Sequence, residues 1–361
     1  MKSMKAIDFF CGAGGFSRGA NAAGFNVAAA YDIDPILTYS HAKNFPGTKL
    51  HLKDIGSLTA EQVKDHACGD IDLIFGGPPC QGFSSIGRRD KNDPRRTLLQ
   101  SFFQLVGDIA PTAFVMENVL GLGFHDAAPE LELALARLPK GYKILGPTVL
   151  DAADFGAATK RKRLFLIGYD PKRCNPISLE DILKKRKKAT TVAEALSGLK
   201  LAKPQKSECE FDLLKIDGRK KLSAYAKQLA SPDRLFTGDM RTVHTPKVVE
   251  RFAEVKQGET DTIGRHPRLA WDGQCPTLRA GTGSDMGSYQ SVRPIHPNEN
   301  RVITVREAAR LQGFPDSHLF HPTIWHSFRM IGNSVSPIIA EAILSVVAEK
   351  IRLCKKLQEA A

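Results

Sequence analysis

Paired cysteines are missing from this 361-residue chain. Its seven cysteines, Cys11, Cys68, Cys80, Cys174, Cys209, Cys275 and Cys354, are odd in number and widely scattered. No Cys-x-x-Cys pair or Cys/His cluster with zinc spacing occurs, which argues against a disulfide framework or a bound metal. The opening MKSMKAIDFF has no signal-peptide apolar region, and no run approaches about 18 consecutive apolar residues. Internal repeats and low-complexity tracts are absent as well. A soluble, cytoplasmic protein of a reducing compartment, with no membrane partner, is expected.

What the chain does have is positive charge and enough apolar residues for a core. The formal net charge is +12, with 42% hydrophobic residues. A surplus of Lys and Arg on this scale suits a polyanionic partner, most simply nucleic acid; a solvated basic surface is the bland alternative.

Over the first 170 residues, short β-rich runs alternate with helical patterns. KAIDFF, NVAAAY, IDLIF, TAFVME and RLFLIGY read as strands. DPILTYSHAKNF and TLLQSFFQLVGDI read as helices between them. That alternation predicts an α/β fold with a doubly wound, mostly parallel sheet, whose ligands sit at the carboxyl ends of the strands. It stops near Pro171 and the charge run KKRKK. The spacing then predicts a first domain over 1–185 and a smaller, irregular or β-rich domain over 186–300. A return segment follows over 301–361, its C-terminal helix packing on the first domain. Thr191/Glu194 and Thr304/Glu307 have the spacing of capping boxes, and Gly313 and Pro315 stop the second of these helices.

The segment FFCGAGGFSRG follows the first strand and opens a helix. Gly12, Gly14 and Gly15 let a ligand approach backbone N–H groups there. A dinucleotide fingerprint would need glycine at 17, where Ser17 stands. Asp32 ends the second strand at the distance expected of a ribose-binding acid, and Asp54 sits where a third strand could end. Strand-end aspartates are as often turn formers. Together these residues suggest an adenosine-bearing cofactor without a pyrophosphate.

DLIFGGPPCQGFSS places Cys80 just past a strand stopped by two glycines and two stiff prolines. A lone cysteine is by default an inert core filler. Here, a basic segment with several arginines follows, which favours thiolate and fits a nucleophile. FVMENV ends another strand with Glu117, a candidate acid at the same edge. In ATKRKRLFLIG, period-two geometry sends Arg161 and Arg163 to one side and Lys160 and Lys162 to the other. The arginine forks suit phosphate or a pyrimidine carbonyl, with a solvated basic edge as the equal alternative.

The ordered blocks FFCGAGGFS, GGPPCQGFS, ENV, RKRLFLIG, TVREAARLQGFP and GNSV resemble the DNA cytosine-5 methyltransferase family. The blocks span residues 7–170 and roughly 300–340. The resemblance implies a Rossmann-like, S-adenosylmethionine-dependent fold that releases S-adenosylhomocysteine and uses no metal. It implies that Cys80 is the nucleophile, Glu117 engages the cytosine ring, and Arg163, with Arg161 behind it, holds the carbonyl oxygen. For the cofactor it implies Phe10, Gly12, Gly14, Gly15, Asp32, Ile33, Asp54, Ile55, Pro79, Asn333 and Ser334. The middle region would be the target-recognition domain, with the Thr277-Leu278 pair typical of it. Double-stranded DNA is the implied partner, with a cognate restriction endonuclease acting separately and the methyltransferase itself a monomer. Two departures stand out: Ala158-Thr159 where the family often has Pro-Gln, and Asp32 where Glu is common. The rival reading is a transfer-RNA cytosine-5 methyltransferase of the same fold, disfavoured because its Cys-Phe-Thr tripeptide is absent here. An amino-group methyltransferase, a nicotinamide oxidoreductase and a non-catalytic repressor fit the motifs less well.

Overall fold

The computed structural model describes residues 3–79, 96–123, 128–207, 210–218, 221–281 and 292–360. The chain divides into two compact units. The first comprises Met1–Asp151, Lys162–Arg186 and Ile339–Ala361; the second comprises Ala152–Arg161 and Lys187–Ile338.

In the first unit the strands are β1 (Met4–Phe9), β2 (Phe25–Asp32), β3 (Lys49–Leu52), β4 (Leu73–Gly76), β5 (Ala113–Asn118), β6 (Lys143–Asp151) and β7 (Lys162–Tyr169). They form one sheet in the order β3-β2-β1-β4-β5-β7-β6. Pairing is parallel from β3 across to β5, and β7 runs antiparallel to both of its neighbours. The strands β4 and β5 are buried at every residue, which is why they read as continuous apolar runs rather than alternating ones. The helices here are α1 (Gly15–Ala22), α2 (His41–Asn44), α3 (Ala60–Ala67), α4 (Arg96–Ile109), α5 (Ala128–Leu135) and α6 (Leu179–Leu183). Behind the sheet, Phe9, Phe102, Phe103 and Phe114 meet edge to face in sequence, at interplanar angles of 82°, 83° and 85°. Such contacts add to the burial energy of large rings.

Two sequence expectations differ from this structure. Asp34–Phe45 was expected to be one helix, and only α2 forms within it. The Asp34 carboxylate accepts hydrogen bonds from the backbone of Ile36 (2.8 Å) and Leu37 (3.1 Å), and this local turn competes with helix. The edge strand β6 was not expected. Its apolar Ile144 and Val149 are exposed and its pairing register slips between Leu145 and Thr148, so no alternation marks it.

The second unit contains α7 (Val192–Ala195), β8 (Ala202–Pro204), β9 (Leu214–Ile216), α8 (Ala224–Leu229), β10 (Leu235–Phe236), α9 (Pro246–Ala253), α10 (Val305–Gln312) and α11 (Ile324–Asn333). Its three strands form a small antiparallel sheet ordered β10-β9-β8. Both capping boxes form, on α7 and α10, and Gly313 ends α10 in the left-handed conformation at φ 94°. The division departs from the expected return segment over 301–361, because residues up to Ile338 group with the second unit. Ala152–Arg161 joins it too, through backbone bonds from Cys275 N to Ala158 O and from Lys160 N to Cys275 O, both 2.8 Å.

The helix α10 was expected to be amphipathic, yet all eight of its residues are buried. Its charges are satisfied inside the protein. Arg306 donates to the carbonyls of Thr237, Pro315 and His318. Arg310 grips Asp316 with both ends of its fork, at 2.8 and 2.6 Å, and reaches the Ser197 carbonyl at 2.8 Å. Both side chains of that pair are fully buried. Arg310→Ala leaves a buried carboxylate without its fork and is expected to cost about 3 kcal/mol of stability. Urea unfolding measures it, and Arg310→Met with Asp316→Leu should recover most of the loss.

The last helix, α12, spans Pro337–Ala360. Within the first unit it lies so close to α1 that a Cβ on Gly19 would stand 2.4 Å from that of Ala340. The segment Ile324–Glu359 is long and apolar enough on average to cross a membrane, although polar and charged residues such as His326, Arg329, Asn333 and Glu341 interrupt it. However, 67% of its most apolar window is buried inside the protein, as in a core helix.

Candidate active site

Register places three candidate residues, with Gly77 between them, at one level of the first unit's sheet. Phe9 lies opposite both Tyr31 and Gly76, and Gly76 lies opposite Met116. The next residues, Asp32, Phe10, Gly77 and Glu117, therefore share the carboxyl edge of the parallel strands. This edge is where doubly wound sheets bind ligands.

The glycine loop opens on a strained residue. Phe10 has φ 63°, followed by Gly12 at 47° and Gly14 at 80°. A Cβ at Gly14 would stand 2.2 Å from the Phe45 ring, whereas one at Gly12 would meet nothing within 4 Å. The loop is packed on one side and open on the other, and Gly15 begins α1. Asp32 braces it, accepting from Gly12 N at 2.8 Å and Asp34 N at 2.9 Å. Burial raises the Asp32 pKa, and these N–H groups partly oppose the rise. Beyond it, Ile33 is 69% exposed. Asp54 caps the following turn by accepting from Gly56 N at 2.9 Å. The Ile55 side chain is buried in the core, so only its backbone can meet a ligand.

Asp8 was missed in the sequence. Its buried carboxyl accepts from the buried Ser17 hydroxyl at 2.5 Å, and burial pushes its pKa well up. This explains why Ser17 stands where a dinucleotide fold has glycine: glycine here would strip a buried carboxyl of its donor. An aspartate one residue before the end of a buried strand was the available signal.

Beneath the loop, His41 packs against Phe45, its ring nitrogens without a hydrogen-bond partner among the described residues. Burial, with Arg18 nearby, lowers its pKa to about 4 from 6.5. Native His41 thus stays neutral while the unfolded chain takes up a proton below pH 6.5. Stability should fall as pH drops from 6.5 towards 4, by about 2 kcal/mol at pH 5. Urea titrations at pH 7.5 and 5 should show His41→Phe losing less stability than the parent.

Cys80 lies outside the described residues; the turn that delivers it, Gly77–Pro79, does not. Asn118 Nδ2 holds that turn by donating to the Pro78 carbonyl at 3.1 Å. Glu117 is buried, its Oε1 3.0 Å from Arg163 Nε. Its Oε2 would lie 3.1 Å from a Cβ on Gly77, so a side chain there would crowd the carboxylate.

Burial alternates as period two requires: Lys160 and Lys162 are exposed, Arg161 is buried and Arg163 partly so. Arg161 is anchored on backbone. Its fork donates to the carbonyls of Leu278 (3.1 Å) and Gly332 (2.9 Å), within the second unit, and so braces backbone. The neighbouring departure, Ala158-Thr159, serves the same junction, since Thr159 Oγ1 donates to Cys275 O at 3.1 Å. Thr277 Oγ1 likewise donates to the Lys160 carbonyl, and Leu278 is buried. Asn333 is exposed, whereas the Ser334 hydroxyl is engaged at 2.7 Å with Met330 O.

Burial pushes up the thiol pKa of Cys11 and Cys275, and that of Cys174 to about 12, which makes them poor nucleophiles. Among the described residues, no group of three or more His, Cys, Asp or Glu could hold a metal ion.

Residues 4–349 match the family described as C-5 cytosine-specific DNA methylase. The chain is 38% identical to the Type II methyltransferase M.XorII of Xanthomonas oryzae pv. oryzae over 365 residues, covering 96% of this chain and 85% of that one. It is 31% identical to the Type II methyltransferase M.DdeI of Desulfomicrobium norvegicum over 378 residues, covering 94% and 87%. A crystal structure of an inferred DNA modification methyltransferase from an E. coli prophage superposes with a TM-score of 0.84 at 38% identity, covering 97% of this chain and 100% of that one. The S. pombe Dnmt2 methyltransferase superposes at 0.65 with 20% identity, covering 96% and 98%, a likeness of fold alone.

Proposed function

The chain belongs to the C-5 cytosine-specific DNA methylase family, and from that premise we propose that it methylates a flipped cytosine of duplex DNA through a transient bond to Cys80. Methylation of DNA cytosine at carbon 5 is the activity of the family; the residue roles are the proposal. The observation that carries them is the Glu117–Arg163 pair at the sheet edge, beside the turn that leads into Cys80.

Carbon 5 of cytosine is a poor nucleophile. Addition of the Cys80 thiolate to carbon 6 turns the ring into an enamine, whose carbon 5 can attack an electrophilic methyl. Glu117 engages ring nitrogen 3 and the exocyclic amine as charge develops there, and Arg163 steadies the Glu117 carboxylate and the carbonyl oxygen. Loss of the carbon-5 proton then lets elimination free Cys80. The target base must leave the stack to reach such a pocket.

S-adenosylmethionine, the cofactor of this family, supplies the methyl group when bound. The open face of Gly12, the braced Asp32 and the exposed Ile33 fit an adenosine-bearing molecule. Phe10, Gly14, Gly15, Asp54, the Ile55 backbone and Pro79 would extend that cradle. In the second unit, the exposed Asn333 amide is better placed than Ser334 to meet a ligand. Residues 186–300 would recognise the target sequence, and a separate restriction endonuclease would share it. The protein would act in the cytoplasm as a monomer.

Purified protein given labelled S-adenosylmethionine should label cytosine in duplex DNA and leave transfer RNA unlabelled. The opposite result overturns the choice of substrate. DNA carrying 5-fluorocytosine should trap a covalent complex, because elimination cannot proceed.

A further inference from the structure

We propose that Val243, Ile263 and Arg265 are base-reading residues of the second unit, contacting a thymine methyl and a guanine edge in the major groove. The inference rests on the DNA reading above and names which residues carry its sequence preference. Val243 and Ile263 are the two most exposed large apolar side chains among the described residues of that unit, at 95% and 73%. Apolar side chains at the tips of loose loops can fold back out of water. These two are prevented from doing so by their anchors.

The turn at 261–266 is held from within. Asp261 is buried and accepts from Gly264 N at 2.6 Å, while its own N–H donates to His266 O at 2.9 Å. The Asp261 carboxylate also pairs with Arg251 at 3.1 Å, and the His266 ring bonds to Arg293 O at 2.8 Å. This closure forces Arg265 into the left-handed region at φ 54°. Such a backbone is costly for a residue with a side chain and persists only where its surroundings over-determine it. Arg265 is exposed, and no hydrogen bond or ion pair joins its guanidinium to the described residues.

Val243 stands between two similar anchors. Arg241 pairs with Glu299 at 2.9 Å, and His244 Nε2 accepts from Val302 N at 3.2 Å. Both segments lean on one ring: Phe252 lies 5.3 Å from His244 and 5.4 Å from His266. Phe252 is itself buried with Ile295 and Val302. Two apolar tips and one arginine fork are thus presented on a common rigid base. In the major groove, the complement of an apolar tip is the thymine methyl, and that of an arginine fork is guanine O6 and N7.

Steady-state methylation of a randomised duplex library tests this on wild type, Arg265→Ala, Ile263→Ser and Val243→Ser, with cofactor affinity and salt dependence measured in parallel. Arg265→Ala should lower kcat/KM on the preferred site by about 10- to 100-fold and relax one guanine position. Replacing thymine by deoxyuridine in the preferred site should weaken the wild type and leave at least one serine variant indifferent. Cofactor affinity should stay unchanged in all three. A uniform loss over every sequence with a shallower salt dependence makes Arg265 a phosphate contact and overturns the inference. So do three variants within twofold of wild type at unchanged preference. If the wild type itself labels no DNA, the proposed function has failed instead.

Discussion

Cys80→Ser will reduce methyl transfer to DNA by at least about four orders of magnitude, more than 5 kcal/mol of barrier, with cofactor affinity and DNA retention within twofold of wild type. A free thiol near pH 7 is a few per cent thiolate, and the arginines that follow Cys80 in sequence would raise that fraction. A serine hydroxyl has no comparable ionised population near pH 7. Without addition at carbon 6, carbon 5 stays unactivated, however well the methyl donor is bound. The measurement is single-turnover transfer of labelled methyl by both proteins, with 5-fluorocytosine trapping as the covalent readout. The serine variant should trap nothing. Turnover above about a tenth of wild type would remove Cys80 from the chemistry and leave Glu117 and Arg163 to be explained another way.

How much of this was legible in the sequence depended on where the information was local. The strands β1, β2, β4, β5 and β7 were readable because each is an apolar run with a turn former at its end. The helix starts at Thr191 and Thr304 were readable because a capping box lies within four residues of chain. Asp32 and Glu117 reached the same edge because parallel register follows from the alternation of strand and helix. Where partners are distant in sequence, reading stopped. Arg306 and Arg310 look like the polar face of a surface helix until their acceptors, from Ser197 to His318, are folded around them. Asp8 gains meaning only once Ser17 is turned onto it.

The RKR segment shows the limit most sharply. Burial alternates along it as period two expects, yet spacing cannot separate the duties of Arg161 and Arg163. Arg161 is held by two backbone carbonyls; Arg163 is held by a carboxylate. An arginine fork answers to either acceptor, and only tertiary structure decides which one it meets.

That difference shapes the second large effect. Glu117→Gln will lower kcat by about 10²- to 10⁴-fold, with the KM for DNA changed by only a few-fold. Glutamine preserves the length of the side chain and can still accept at its oxygen, so packing against Gly77 survives. What it loses is the charge that holds Arg163 at 3.0 Å and the capacity to share a proton with ring nitrogen 3 as the adduct forms. The loss should therefore fall on the chemical step, and 5-fluorocytosine trapping should slow in parallel with turnover. Arg163→Ala should lower kcat in the same sense by removing the group that orients Glu117. If the two act as one device, the double variant will be little worse than Glu117→Gln alone. Losses that multiply would mean that Arg163 serves the base independently of the carboxylate. A Glu117→Gln enzyme that traps and turns over at the wild-type rate would show that the carboxyl group at this edge only supports the turn before Cys80.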